Sequence, residues 1–74
     1  MAKECNDITV AFGKRLRSFR KAKKLSQEKL AELAYSDRTY ISDVELGKRN
    51  ISIINISKLA SALEIEIKDF FINL

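Results

Sequence analysis

Residues 26–49 read SQEKLAELAYSDRTYISDVELGKR, and this stretch decides the fold. Ser26 and Ser36 are typical helix N-caps, because their side-chain oxygens can accept bonds from the free N–H groups of a first turn. Asp37 follows as an acid at a helix start, which the helix dipole favours, and Gly47 is a typical C-cap residue. The sequence therefore predicts two short helices separated by a link of about two residues. The residues expected to face inward are Leu30, Ala31, Ala34, Ile41 and Val44.

Two helices with so tight a link form a helix-turn-helix. In this motif the N-terminal residues of the second helix lie against base edges in the major groove of DNA. The face opposite Ile41 and Val44 carries short polar side chains, and Arg38 is long enough to bond both O6 and N7 of guanine. A plain solvated helix is the alternative, although such a helix more often carries Lys–Glu pairs four residues apart. The predicted DNA base contacts are Arg38, Thr39, Ser42 and Asp43.

Helical spacing of apolar residues continues on both sides of this motif. Only two short alternating stretches, 51–53 and 64–67, leave a strand as an alternative. The 74 residues contain two Gly and no Pro, which argues against a β domain with many tight turns. The sequence predicts one all-α, five-helix domain over residues 8–74, preceded by an N-terminal tail at residues 1–7. Outside the motif, the predicted helices cover about residues 8–23, 53–63 and 67–72, the second of them capped by Ser52.

Charge and composition favour a nucleic acid as the partner. The net charge is +4, but residues 8–58 carry 12 basic and 5 acidic residues, a net +7, which points to a polyanion. A surface tuned for solubility is the alternative. One Cys and no His exclude an internal disulfide and disfavour zinc sites and Ser-His or Cys-His catalysis. We predict no enzymatic activity, no cofactor and no metal site.

Membrane and secretion signals are absent from the sequence. The sequence contains no run of about 18 apolar residues, so it predicts no membrane span. The first residues lead into no apolar signal segment. Cys5, as a free thiol in the predicted tail, fits a reducing compartment. We therefore predict a cytoplasmic location and no membrane partner.

Three strings add a family resemblance to these patterns: Gln27-Glu28-Lys29-Leu30-Ala31, Arg38-Thr39-Tyr40-Ile41-Ser42 and Glu45-x-Gly47. Together with the following Leu/Ile-rich helix they resemble the Cro/CI/Xre helix-turn-helix family over about residues 12–71. Residues 37–42 and 49–52 resemble, more particularly, the small controller proteins of restriction–modification systems. The resemblance implies a lambda-repressor-like fold and a homodimer that binds a double-stranded DNA operator and regulates transcription. We also predict RNA polymerase as a partner. A phage-type or other Xre-family repressor, and an antitoxin or protein-binding module, are the alternatives.

The resemblance also implies roles for residues around the motif. Arg20 and Glu45 match a structural ion pair between the first and third helices. Asp43 could accept a bond from cytosine N4, or it could repel phosphates and so reject wrong sequences. Lys24, Tyr35 and Glu64 stand where the family often has Gly, so these helix ends either differ or are strained. The implied DNA phosphate contacts are Gln27, Tyr40, Lys48, Arg49 and Asn50.

The last third of the chain has more large apolar residues than a fourth helix and a short fifth can bury. An exposed apolar patch usually marks an interface, and a chain this small gains stability from a partner subunit. We therefore predict a homodimer. The alternative is that the fifth segment folds back and buries most of this set. The predicted dimer interface comprises Ile54, Ile65, Ile67 and Phe71.

Overall fold

The computed structural model describes the backbone of residues 2–74 and the side chains of residues 7–74. Within this part of the chain no residue lies in a strand, so the all-α prediction is confirmed. No helix found there is both long and apolar enough to cross a membrane. The elements are α1 (Ala2–Ala22), α2 (Gln27–Leu33), α3 (Arg38–Glu45), α4 (Ile53–Leu63) and a 3₁₀ helix (Ile67–Phe70).

The two ends of the chain differ from the sequence-based prediction. Helix α1 begins at Ala2, not near Ile8, so residues 2–7 of the predicted tail are helical. No Gly or Pro stands in this stretch to stop the helix from extending. The side chain of Cys5, assigned to that tail, lies outside the described residues. The fifth segment is a four-residue 3₁₀ helix, shorter than the predicted 67–72.

Helix starts follow the expected capping chemistry, with one shift of register. Ser26 and Ser52 are N-caps as predicted; each Oγ accepts from the backbone N–H three residues on, at 3.0 and 3.2 Å. The cap of α3 is Asp37 rather than Ser36, and its Oδ1 accepts from Tyr40 N–H at 2.8 Å. Ser36 instead belongs to the end of α2, where its N–H donates to the carbonyl of Ala31 at 2.8 Å.

All four α-helices end in the same way. Lys24, Tyr35, Gly47 and Glu64 have φ values of 59°, 55°, 77° and 60°, the left-handed conformation. The N–H of the following residue then bonds a carbonyl five residues back, at 2.8–3.1 Å, which is the Schellman arrangement. The three non-glycine positions therefore keep the glycine-type geometry, at a conformational cost of about 1 kcal/mol each. Their side chains point into solvent, where Tyr35 is 88% exposed.

The hydrophobic core lies between the four helices, and the predicted inward faces of α2 and α3 are buried as expected. Ile8 and Ile53 share the helical spacing of the apolar residues in their helices, but they are exposed, at 49% and 73%. Ile53 is the first residue of α4, so it lies outside the part of the helix that is packed against the core. The buried hydrophobic residues are Phe12, Leu16, Leu30, Ala31, Ala34, Ile41, Val44, Leu59, Ala60, Leu63 and Phe70.

The 3₁₀ helix folds back onto α1. Phe70 is fully buried, with its ring centroid 4.9 Å from that of Phe12 and 5.7 Å from that of Phe19. Arg15 Nη1 donates to the backbone carbonyls of Asp69 and Phe70 at 3.2 and 3.4 Å. The end of the chain is therefore part of the domain, although Phe71 remains 41% exposed.

At Gly13, the backbone of α1 lies directly against the backbone at the end of α3. A Cβ at this position would lie 2.3 Å from the carbonyl oxygen of Val44 and 2.7 Å from that of Glu45. One helical turn earlier, Thr9 Oγ1 donates to the carbonyl of Gly47 at 3.1 Å. The position of α3 is thus set partly by direct contact with the backbone of α1.

We expect Gly13→Ala to destabilise the protein, although Gly→Ala inside a helix ordinarily stabilises it by about 1 kcal/mol. The added methyl group would have to push α1 away from α3, and overpacking of this kind costs about 1–3 kcal/mol. Urea unfolding followed by circular dichroism measures the change. Lys14→Ala, at the exposed neighbouring position, is the control and should be nearly neutral. An unchanged or increased unfolding midpoint for Gly13→Ala would contradict the close approach.

Candidate nucleic-acid interface

Helix α3 presents the four predicted base-contacting residues on one side. Ile41 and Val44 are buried, which fixes the rotation of the helix about its axis. Arg38 and Thr39 are exposed at its first turn, and Ser42 and Asp43 follow on the same side, half-buried. The short side chains of Thr39 and Ser42 leave the backbone of this face open to close approach.

A buried polar cluster joins this helix to α1 and α2. The structure brings together Arg20 and Glu45, the two residues to which the resemblance assigned an ion pair. Arg20 Nε lies 2.6 Å from Glu45 Oε2, and Nη2 lies 3.1 Å from Oε1. A third bond runs from Arg20 Nη1 to the carbonyl of Leu25 at 2.8 Å. The side chains are only 11% and 5% exposed, so both charges are compensated almost entirely within the protein.

Gln27, one of the predicted phosphate contacts, belongs to the same cluster. Its Nε2 donates to Glu45 Oε1 at 3.0 Å, and the residue is half-buried. The first residue of α2 is thereby tied to the last residue of α3. The side-chain amide therefore has a structural role that the sequence did not indicate.

A second cluster lies where the chain leaves α3. Arg49 packs over the ring of Tyr40, with Cζ 5.1 Å from the ring centroid. Arg49 Nε also lies 3.3 Å from Asp43 Oδ2. The structure thus joins two predicted phosphate contacts, Tyr40 and Arg49, to a predicted base contact, Asp43. Two more predicted phosphate contacts, Lys48 and Asn50, are exposed on the same link.

Asn55 supports a predicted site residue, and the sequence analysis missed it. Its Nδ2 donates to the hydroxyl of Tyr40 at 2.9 Å, so that α4 holds the ring on which Arg49 packs. The available signal was weak: a single amide within the apolar run at the start of α4.

Comparison with known proteins identifies the family. Residues 16–70 match the family model described as helix-turn-helix. The chain belongs to this family. It is 45% identical to the control protein C.MunI of Mycoplasma sp. over 67 residues, which span 89% of this chain and 90% of that protein. It is 48% identical to the control protein C.BamHI of Bacillus amyloliquefaciens over 65 residues, spanning 86% and 80%.

Solved structures agree with this assignment. The crystal structure of the restriction-modification controller protein C.AhdI from Aeromonas hydrophila has a TM-score of 0.86 to this chain and is 54% identical, covering 88% of this chain and 98% of that one. The resemblance to controller proteins is therefore confirmed. The chain is a helix-turn-helix DNA-binding regulator of transcription rather than an enzyme.

We expect Glu45→Ala to lower the free energy of unfolding by about 3–5 kcal/mol, because it leaves the buried guanidinium of Arg20 without its counter-charge. Thermal or urea unfolding measures this loss. Glu32→Ala is the matched control: it removes the acid of an exposed ion pair with Lys29 at 3.4 Å, which should change stability by less than about 1 kcal/mol. Equal unfolding midpoints for the two variants would argue against a structural role for the Arg20–Glu45 pair.

Proposed function

We propose that this protein is a sequence-specific, operator-binding transcriptional regulator that acts as a homodimer in the cytoplasm, as the controller of a restriction–modification system. The observation that carries the proposal is the exposed N-terminal face of α3, in a chain 45–54% identical to controller proteins over most of its length. RNA polymerase is a further partner at the promoters that such a regulator would control.

The face of α3 supports recognition of base edges. Arg38 and Thr39 lie in the first turn of the helix, the part that approaches bases in a helix-turn-helix. Arg38 can place two donors on guanine O6 and N7, and Ser42 can donate or accept. Lys48 and Asn50 flank this face on the link after α3, where phosphate contacts would fix the register of the protein on the duplex.

Exposed apolar residues on α4 and the C-terminal segment support the homodimer. Ile54 is 67% exposed, and Ile67 and Phe71 are about 40% exposed, at 39% and 41%. Ile65, also assigned to the interface, is half-buried and packs against the protein's own core, so only part of it is free for a partner. A two-fold dimer would place two recognition helices about 34 Å apart, which is one turn of DNA.

A first experiment tests DNA recognition through Arg38→Ala. Duplexes enriched by the wild-type chain from a random-sequence library serve as the target. We expect the variant to lose about 1–3 kcal/mol of discrimination at one base pair while other positions keep their preference. Competition gel shifts with single base-pair substitutions measure this. Unchanged discrimination at every position would reject Arg38 as a reader. Absence of any salt-sensitive binding by the wild type at about 50 mM salt would overturn DNA binding itself.

A second experiment tests the homodimer. Ile54→Lys and Ile67→Lys each place a charge in the proposed interface, and we expect the sedimenting species to change from dimer to monomer. Leu33→Lys is the control, since Leu33 is 43% exposed on α2, outside the interface. Dimers that survive both interface substitutions would place the contact elsewhere. A wild-type chain that sediments as a monomer at tens of micromolar would contradict the dimer.

A further inference from the structure

Asp43, the acid among the predicted base contacts on α3, forms an ion pair within the protein. Asp43 Oδ2 lies 3.3 Å from Arg49 Nε, and the side chains are 28% and 46% exposed. The guanidinium of Arg49 is therefore held by a carboxylate at its Nε edge and by the ring of Tyr40 against one of its faces. An acid in this geometry neutralises a neighbouring cation instead of offering both oxygens freely to DNA.

The side chains that contact Arg49 are themselves held by other residues of the fold. The hydroxyl of Tyr40 accepts from Asn55 Nδ2 of α4 at 2.9 Å, so the outer end of the ring is tied to a second helix. Asp43 lies on α3, whose rotation is fixed by the buried Ile41 and Val44. Arg49 thus rests between two side chains of α3, one of which is also bonded to α4.

Two of the three guanidinium nitrogens remain available. A guanidinium has five N–H donors, of which one is on Nε and four are on the two Nη atoms. Among the residues that the structure describes, the Nη atoms of Arg49 donate to no acceptor, whereas Nε is engaged with Asp43. The free edge could bond a phosphate oxygen or the O6 and N7 atoms of guanine, which are all hydrogen-bond acceptors.

We infer that Asp43 is a positioning residue that holds Arg49 ready for an acceptor on DNA, and that it does not itself contact a base. This inference rests on the proposed DNA-binding function. A free arginine side chain loses rotamer freedom when it binds, and a side chain that is already held loses less. An exposed ion pair contributes little to folding, so the effect of Asp43 should be seen in DNA affinity and not in unfolding.

A double-mutant cycle tests this role. The affinities of the wild type, Asp43→Asn, Arg49→Ala and the double variant are measured, as full chains, for a duplex that the wild type enriches from a random-sequence library. We expect Asp43→Asn alone to weaken binding by about three- to tenfold, because the neutral amide can hold Arg49 only through a weaker, uncharged hydrogen bond. When Arg49 is already absent, Asp43→Asn only removes a negative charge near phosphates, so binding should be unchanged or tighter. This change of sign is the signature of the proposed role.

Two results would overturn the inference while the wild type still binds DNA. Equal weakening by Asp43→Asn with and without Arg49 would mean that Asp43 contacts a base directly. Tighter binding by the single variant would mean that the acid only repels phosphates. A wild type that enriches no duplex would instead overturn the proposed function, and the inference with it.

A matched control and a set of base substitutions complete the experiment. Glu64→Gln also removes one acid from an exposed ion pair, with Lys23 at 3.0 Å, away from α3; its affinity should equal that of the wild type. Arg49→Ala then identifies the acceptor. Loss of preference at one base pair indicates guanine, whereas uniform weakening with a salt slope lower by about one indicates phosphate.

Discussion

The buried ion pair between Arg20 and Glu45 is the interaction on which the arrangement of the other elements depends. Helix α3 has eight residues, too few to be stable alone, so its orientation must come from its neighbours. Glu45, its last residue, accepts from Arg20 of α1 and from Gln27 of α2. Burying two charges gives little net stability even when they are paired. We therefore expect its main effect to be on specificity, since an orientation of the three helices that separated Arg20 from Glu45 would leave a buried charge uncompensated.

The candidate DNA-binding surface combines two kinds of residue that differ in the contacts their side chains make within the protein. Arg38 and Thr39 are exposed at the first turn of α3, with only the helix backbone to orient them. Arg49 lies on a link without regular secondary structure, yet contacts with Tyr40 and Asp43 restrict it. A side chain on a link is thus held by contacts that its position in the secondary structure does not suggest.

Local features of the fold were predictable from the sequence, and features that depend on how helices cross were not. Ser26 and Ser52 act through bonds to residues three positions away, so their spacing was sufficient to predict them. Arg20 and Glu45 were found only through a family resemblance. The bond between Asn55 and Tyr40 joins two helices, and no periodicity within either helix indicates it. Ile53 has the correct spacing for the core but lies at the very start of α4.

Gly13 shows most clearly what a periodic pattern leaves out, because in the sequence it is simply one glycine inside a helix. In the fold it allows α1 to touch the carbonyl groups at the end of α3. The recognition helix is thereby placed by main-chain contacts that are independent of the side chains on its outer face. The location of the helix is therefore independent of the side chains that are proposed to contact bases. Under the proposed function, exchanging a few outward-facing residues of this helix would therefore change operator preference with no need to repack the domain.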